Sequence, residues 1–565
     1  MIMNISILRK YNNLFLLVSI FFVILFWIAS LSLSKQTQAQ SKQENLPSSF
    51  TKEDSTRCLE ELVQNIDTIL EDALTSKTKY SVMVYSLDRS QIIYSRNPNI
   101  FLTPASLTKI ITTYTAFSEL GADYKIQTCI YTDAPEIQNG IVEGNIYIVG
   151  YGDALFTSCD LDTLVKNIMK QGIKTIKGNI YGDGSFFDGK YNRLEYSGDE
   201  DLVEVTPPIS ALAIDNNTAT LIVKGISNIQ IFPLSYTLQP ISKLQTRTGI
   251  NKKQKILPIK NKREKKAEFY QNRYVPDNKN KKYTKANFSL YAGDVPLPPK
   301  KKRGTSINIS TSLNEKGIQL FHISGFLSKG STFTYFYPLL KPEMAVAGAL
   351  KYKLIANGID VKGEVAEPKK SLLSEYKNYI KLAVLERPLT EVIYLLMKNS
   401  NNYLAESIFK LIGAKLGLTD DNARSARLAI IRALTKAGII GSPVVLNDGS
   451  GLSRRNQVNT STLLSLLVNA TKLNFAQKFD SSLSVSGLDG TLKSRMKGTL
   501  AEFNIHAKTG TLNNVSGLAG YVYTLDGERL AFVMLFNGPY VTSYKEIENR
   551  IGQLLAQFFY YHFEN

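Results

Sequence analysis

Histidine and cysteine are almost missing from this 565-residue chain, which has three of each. His322, His506 and His562 lie far apart and there is no CxxC pair, so no metal cluster is visible and neither a metal nor an organic cofactor is expected. An odd number of cysteines (Cys58, Cys129 and Cys159) permits at most one internal disulfide, for which Cys129–Cys159 is the conceivable pair. Acidic residues are also outnumbered, 49 Asp and Glu against 67 Lys and Arg, for a net charge of +18. Such a charge suggests nucleic acid, but its distribution argues against that partner. The stretch from Lys243 to Arg303 holds 19 Lys and Arg and 4 Asp and Glu, a balance of +15 that leaves only +3 for the rest. Rich in Lys, Asn and Pro and without an apolar period, 243–303 is expected to be a looped, low-complexity insertion. Its electrostatic partners would be anionic lipid head groups or acidic wall polymers, or it is a solvated loop without a partner.

Long apolar runs are absent except at the start. Arg9 and Lys10 precede a charge-free run from about Leu14 to Leu33, followed by a polar stretch, Ser34 to Asn45. A positive flank before an apolar run marks export. Residues 1–45 are therefore expected to be a signal peptide, with Thr37-Gln38-Ala39 as a small-x-small site, or an N-terminal membrane anchor long enough to span a bilayer. Either form places the chain from Ser49 onward outside the cytoplasm, in the periplasm or cell envelope.

The length calls for two or three domains. Thr56 to Leu74 has helical spacing, and Tyr80–Leu87 and Gln91–Ser95 are β-type runs around the turn Asp88-Arg89-Ser90. A helix is expected from Pro104, with Ile110, Ile111, Tyr114 and Phe117 on its buried face. From about Tyr124 strand-like runs dominate, up to about Leu327. Helical patterns then return at 344–357, 389–398, 403–416 and 423–437. Three strands, 502–506, 517–523 and 530–536, and a helix from Ile547 to Phe559 close the chain. The expected fold class is α+β: an antiparallel sheet flanked by helices and built from both ends of the chain, 46–123 and 328–565, with β-rich accessory domains inserted at 124–327.

Three short motifs occur in order: Ser106-Leu107-Thr108-Lys109, Ser400-Asn401-Asn402 and Lys508-Thr509-Gly510. Each alone is weak, since SxxK recurs at Ser32, Ser49, Ser76, Ser374 and Ser494. Context separates these three. Ser106 opens a helix, so Lys109 lies one turn on along the same face. Ser400 sits between two helical runs, and Lys508 is expected at a strand end. A serine hydroxyl needs a base to become nucleophilic, and with no histidine nearby Lys109 is the available one. To act it must be neutral, a state favoured by burial and by a second ammonium at Lys508. The helix N-terminus offers N–H groups to a developing oxyanion.

The trio is a known signature of penicillin-binding proteins and class A β-lactamases. Together with Asp448–Arg454, Ser486–Leu492, Gly178–Asp183 and Pro208–Leu212, it makes the sequence from about Leu59 onward resemble the S13 family of low-molecular-mass, class C penicillin-binding proteins, the D-Ala-D-Ala carboxypeptidases/endopeptidases. The separation of Lys109 and Ser400 by 291 positions (400 − 109) suits the inserted domains of that family and not a β-lactamase. The resemblance implies an acyl-enzyme at Ser106, Lys109 as its base, and Ser400 and Asn402 as the proton-relay pair. It places Lys508, Thr509 and Gly510 at the substrate carboxylate and the backbone N–H groups of Ser106 and Thr511 in the oxyanion hole. It also puts Asp183, Phe187 and Arg454 against the side chain of the peptidoglycan stem peptide. Asn513 stands where the family has a longer amide, and the basic insertion departs from the family pattern. The implied partners are stem peptides, with β-lactam antibiotics as inhibitors. Two other readings stay open: a β-lactamase-like hydrolase, which needs a deacylation base not identified here, and a noncatalytic cell-wall-binding scaffold using 243–303.

Overall fold

The computed structural model describes residues 52–199, 206–246, 306–328, 330–439 and 444–559. The leader reading and most of the basic insertion lie outside them. No helix of the described residues is long and apolar enough to cross a membrane.

Both ends of the chain meet in one six-stranded antiparallel sheet. Its order is Ser484–Val485, Ile505–Leu512, Val515–Tyr523, Arg529–Asn537, Lys79–Ser86 and Gln91–Arg96. Alternation along these strands separates two apolar cores, as a pleated sheet covered on both faces requires. In Arg529–Asn537, Leu530, Phe532, Met534 and Phe536 face the helices Lys52–Ala73 and Val541–Gln557, which add Leu62, Ile66, Ile547 and Ile551. Ala531, Val533 and Leu535 face the other way, onto a helical layer of Thr108–Leu120, Leu389–Lys398, Asn402–Leu416, Asn422–Lys436 and Thr460–Ala470. The α+β class with an antiparallel sheet flanked by helices is therefore the observed one.

Among the described residues, four smaller sheets lie between Lys109 and Ser400. The expected return to the main body at 328 differs from the strand pairing. Thr332–Pro338 pairs with Thr218–Lys224, and Ile380–Pro388 pairs with Lys125–Thr132. The inserted sheets thus continue to Pro388, and the helix Pro342–Ala356 packs among them. Short strands such as Asp360–Val361 and Val365–Ala366 carry too few residues to show a period-two signal in sequence.

Lys243 to Thr246 close the strand Leu238–Thr246 instead of opening the basic loop. That strand and Ser306–Leu313 flank Gln319–Leu327 on either side, with Thr246 opposite Leu327 and Ser306 opposite Phe326. The chain leaves and re-enters this sheet at the same end, so the ends of the insertion stand about 10 Å apart, two strand spacings.

The third motif lies within a strand and not at its end. The strand is Ile505–Leu512, not 502–506, and Lys508 sits inside it. Thr509, Gly510 and Thr511 look like turn formers in sequence, yet their pairing continues in register through Gly510 opposite Gly517 and Thr511 opposite Ser516. Two helices of the C-terminal half, Thr460–Ala470 and Ala476–Ser482, also went unread in the sequence. Cys129 and Cys159, the conceivable disulfide pair, are both free thiols.

Candidate active site

Ser106 lies in a single 3-10 turn, Ala105–Leu107, that runs directly into the helix Thr108–Leu120. Ala105 holds φ +48°, a left-handed conformation that a side-chain-bearing residue adopts only when its surroundings impose it. Two glycines impose it. A Cβ at Gly451 would collide with the Ala105 carbonyl, and one at Gly510 would press on the Pro104 carbonyl and Leu107. The loop before Leu452 and the third-motif strand therefore close on the turn from two sides, a fit that only bare backbone permits.

Lys109 is completely buried and its Nζ touches three oxygens: Ser106 Oγ at 2.9 Å, Asn402 Oδ1 at 2.7 Å and the Ser450 carbonyl at 2.6 Å. The second motif reaches this point because the helix Leu389–Lys398 ends and Asn402–Leu416 begins within a few residues. Ser400 takes a left-handed φ of +53°, and Asn401 caps the new helix by accepting from Leu404 N at 3.0 Å. Lys508, also fully buried, donates to Ser400 Oγ at 2.8 Å and to the Thr509 carbonyl at 2.9 Å. Burial, and then the neighbouring Lys109 ammonium, hold Lys508 well below the ordinary lysine pKa. Thr509 Oγ1 donates to Thr491 Oγ1 at 2.8 Å. Thr511 is exposed. The short edge strand Ser484–Val485 pairs only with Ala507 and His506, so it stops short of Lys508–Leu512.

Five of the motif residues thus form one cluster: Ser106, Lys109 and Asn402 on one side, Ser400 and Lys508 on the other. Arg454 joins its rim, where Nη1 donates to the Asn513 carbonyl at 3.1 Å just past the third-motif strand. Asp183 and Phe187 are placed differently. Asp183, 2% exposed, accepts from the Tyr376 hydroxyl at 2.5 Å and from Ser185 N at 2.8 Å. Phe187, 5% exposed, packs in the core beside Leu411 and Gly152, with Lys410 Nζ 5.5 Å from its ring centre. Both present almost no surface to a peptide.

Sequence reasoning missed three parts of the cluster. Thr491 lies in the segment 486–492 that was singled out, but its hydroxyl had no assigned task. The Ser450 carbonyl is a backbone group without a side-chain signature. Glu406, fully buried, accepts from Ser450 N at 2.8 Å, Gly449 N at 3.4 Å and the Tyr196 hydroxyl at 3.0 Å. Its one sequence signal is a carboxylate four residues after Asn402, on the helix face that also carries Lys410.

An arrangement of a serine hydroxyl on a buried lysine amine, beside a second buried lysine, is suited to acyl transfer from a substrate bearing a carboxylate. Comparison with known proteins agrees. The sequence matches the D-Ala-D-Ala carboxypeptidase 3 (S13) family over residues 62–272 and 308–558. It is 28% identical over 512 residues to a D-alanyl-D-alanine carboxypeptidase of Actinomadura sp., covering 88% of this chain and 85% of that one. It is 26% identical over 466 residues to the D-alanyl-D-alanine carboxypeptidase DacB of Haemophilus influenzae, covering 80% and 84%. The crystal structure of penicillin binding protein 4 from H. influenzae shares the fold, with a TM-score of 0.61 at 23% identity over 86% of this chain and 99% of that one. The chain belongs to the D-Ala-D-Ala carboxypeptidase 3 (S13) family.

Proposed function

We propose that this protein is a serine-type D-Ala-D-Ala carboxypeptidase and endopeptidase that works on peptidoglycan stem peptides through an acyl-enzyme at Ser106. The observation that carries the reading is the environment of Lys109. The Ser450 carbonyl can only accept, and Asn402 turns its Oδ1 to the lysine, so two Nζ hydrogens are committed. When Lys109 is neutral, its lone pair is left on the third direction, towards Ser106 Oγ. A base held this way takes the serine proton as Oγ attacks the penultimate D-Ala carbonyl.

The N–H groups of Ser106 and Thr511 receive the oxyanion. Ser400, hydrogen-bonded to Lys508, gives its proton to the departing amine and regains one from the Lys109 ammonium, which leaves Lys109 neutral again, and the terminal carboxylate rests on Lys508 and Thr509. The open edge of the third-motif strand gives the substrate backbone a partner to pair with. Water then attacks the ester carbonyl as neutral Lys109 takes its proton, and Lys109 passes that proton to Ser106 Oγ as the acyl–oxygen bond breaks. A β-lactam opened by the same serine blocks the site, in line with a solved complex of H. influenzae penicillin binding protein 4 with a β-lactam. Mass analysis of a stem pentapeptide and of a cross-linked peptide dimer after incubation tests this activity. Loss of one D-Ala or cleavage of the cross-link supports it, and intact peptides with a folded protein refute it.

The site faces a substrate found outside the cytoplasm, and the leader reading fits that location. The +15 balance of 243–303 supports contact with anionic lipid or wall polymer. Joining Thr246 to Ser306 by a short Gly/Ser linker would remove retention on anionic vesicles or walls and leave the cluster intact. Retention unchanged by that deletion would overturn the contact.

A further inference from the structure

Behind Lys109 lies a buried pair of carboxylates. The peptide unit joining Ser450 to Gly451 is gripped from both ends. Its carbonyl accepts from Lys109 at 2.6 Å, and its N–H, on Gly451, donates to Asp448 Oδ1 at 2.9 Å. Asp448 also accepts from Ser453 N at 2.7 Å and Asn456 Nδ2 at 2.8 Å, and it meets Arg193 Nη1 at 3.3 Å. The preceding peptide unit is fixed by Glu406 Oε1 on Ser450 N. Each of these groups is fully buried except Arg193, which is nearly so.

Resting on the acyl-enzyme reading above, we propose that Glu406 is a positioning residue for acylation: it fixes the Ser450 backbone so that the Ser450 carbonyl aims the Lys109 lone pair at Ser106, and its charge sets how readily Lys109 gives up its proton. The carbonyl is one of the two acceptors that orient Nζ. A shift of a few tenths of an ångström there turns the lone pair away from Oγ. The hold on Ser450 and the charge are separable, because a glutamine at 406 keeps an oxygen for Ser450 N without the negative charge.

The groups around Glu406 define the electrostatics. Asp448 faces it from the loop, and Arg193 and Tyr196 face it from the helix Arg193–Ser197, with Asp199 paired to Arg193 at 3.3 Å. Lys410 lies one turn along its own helix, 5.3 Å from the Tyr196 ring centre, and Lys109 stands beyond Ser450. Burial first and Asp448 second push the Glu406 carboxyl up to about 7, so its charge changes within the working range of a cell-wall enzyme.

The test measures second-order acylation by a fluorescent penicillin from pH 5 to 9 for wild type, E406A, E406Q and Tyr196→Phe, with the binding and acylation constants separated. In E406A the plateau acylation rate constant falls tenfold or more while penicillin binding changes less than threefold. E406Q restores the plateau to within threefold of wild type. Removing the negative charge disfavours the Lys109 ammonium, so the limb that rises with pH moves to lower pH in E406Q, by half a unit or more. Tyr196→Phe leaves the Ser450 contact in place and removes a hydrogen bond that favours ionised Glu406. Its limb moves the same way by less, which carries the test if E406A fails to fold. A wild-type plateau in E406A, or a limb that stays put or moves upward in E406Q, overturns the proposal. A wild type that takes no penicillin at all would instead remove the acyl-enzyme reading beneath it.

Discussion

Lys109 Nζ stands 2.9 Å from Ser106 Oγ across one helical turn, and both lie where Asn402 and Ser450 can hold the lysine in place. General-base assistance is worth about 10²–10⁴ in rate. Lys109→Met keeps the length of the side chain and removes the base, so acylation by a β-lactam should slow by about 10³. Methionine cannot donate to the Ser450 carbonyl, at a cost of about 1–3 kcal/mol, so the variant should melt lower and remain folded. Stopped-flow acylation with a parallel melting curve checks both halves, and near-normal acylation in the variant would contradict the base assignment.

Lys508 should make substrate binding depend on pH. Its ammonium is disfavoured by burial and by Lys109, so in the free enzyme it loses its proton well below the ordinary lysine range. Only the charged form attracts a carboxylate. KM for a stem peptide with a free C-terminus should therefore rise as pH climbs through that lowered pKa, while KM for the C-terminal amide stays flat. In Lys508→Met the difference between the two peptides should shrink by about tenfold, the value of one charge-assisted contact. Steady-state kinetics on the peptide pair decides it.

Gly451→Ala introduces a Cβ against the Ala105 carbonyl at a residue whose φ is +85°. Overpacking costs about 1–3 kcal/mol, and a left-handed alanine about 1–2 kcal/mol more. The strain falls on the turn that carries Ser106. The variant should melt lower and acylate more slowly, with the rate loss larger than the change in penicillin affinity. Calorimetry and acylation kinetics read the two effects separately.

What the sequence made legible, and what it hid, follows from how each feature is encoded. The helix 389–398 could be read to the residue because its apolar period is strong and its ends abut a strand and the Ser400 corner. Ser106, Lys109, Asn402, Ser400 and Lys508 were visible because side chains of fixed type carry the motif. The continuation of the inserted sheets to Pro388 was hidden, since strands such as Ile380–Pro388 mix Lys381, Glu386 and Arg387 among apolar residues. The Ser450 carbonyl left no trace at all, because any residue supplies a carbonyl and only the fold says where it points. Asp183 and Phe187 are a different case. Substrate contact was implied for them by the family resemblance alone, and the structure adds their surroundings, Tyr376 and Leu411, which are distant in sequence.

Another buried carboxylate, away from the site, makes stability depend on pH. Glu343, near the start of the helix Pro342–Ala356, accepts from Ser210 Oγ at 2.5 Å, and burial pushes its pKa from 4.5 to about 7. A raised carboxyl favours the protonated folded state. Its contribution is complete below pH 4.5 and is lost as pH rises through 7. Glu343→Gln mimics the protonated form and should be more stable than wild type at pH 8.5, by on the order of 2–3 kcal/mol. At pH 5 the gap should nearly close. Thermal melts of both proteins at the two pH values test the sign.

The most direct measurement is intact-mass analysis of the protein and of Ser106→Ala after incubation with a β-lactam. The account predicts a single covalent adduct in the unmutated protein, mapped by peptide digestion to Ser106, and none in the variant. An adduct on another residue, or no adduct on folded protein with the β-lactam unconsumed, would contradict it.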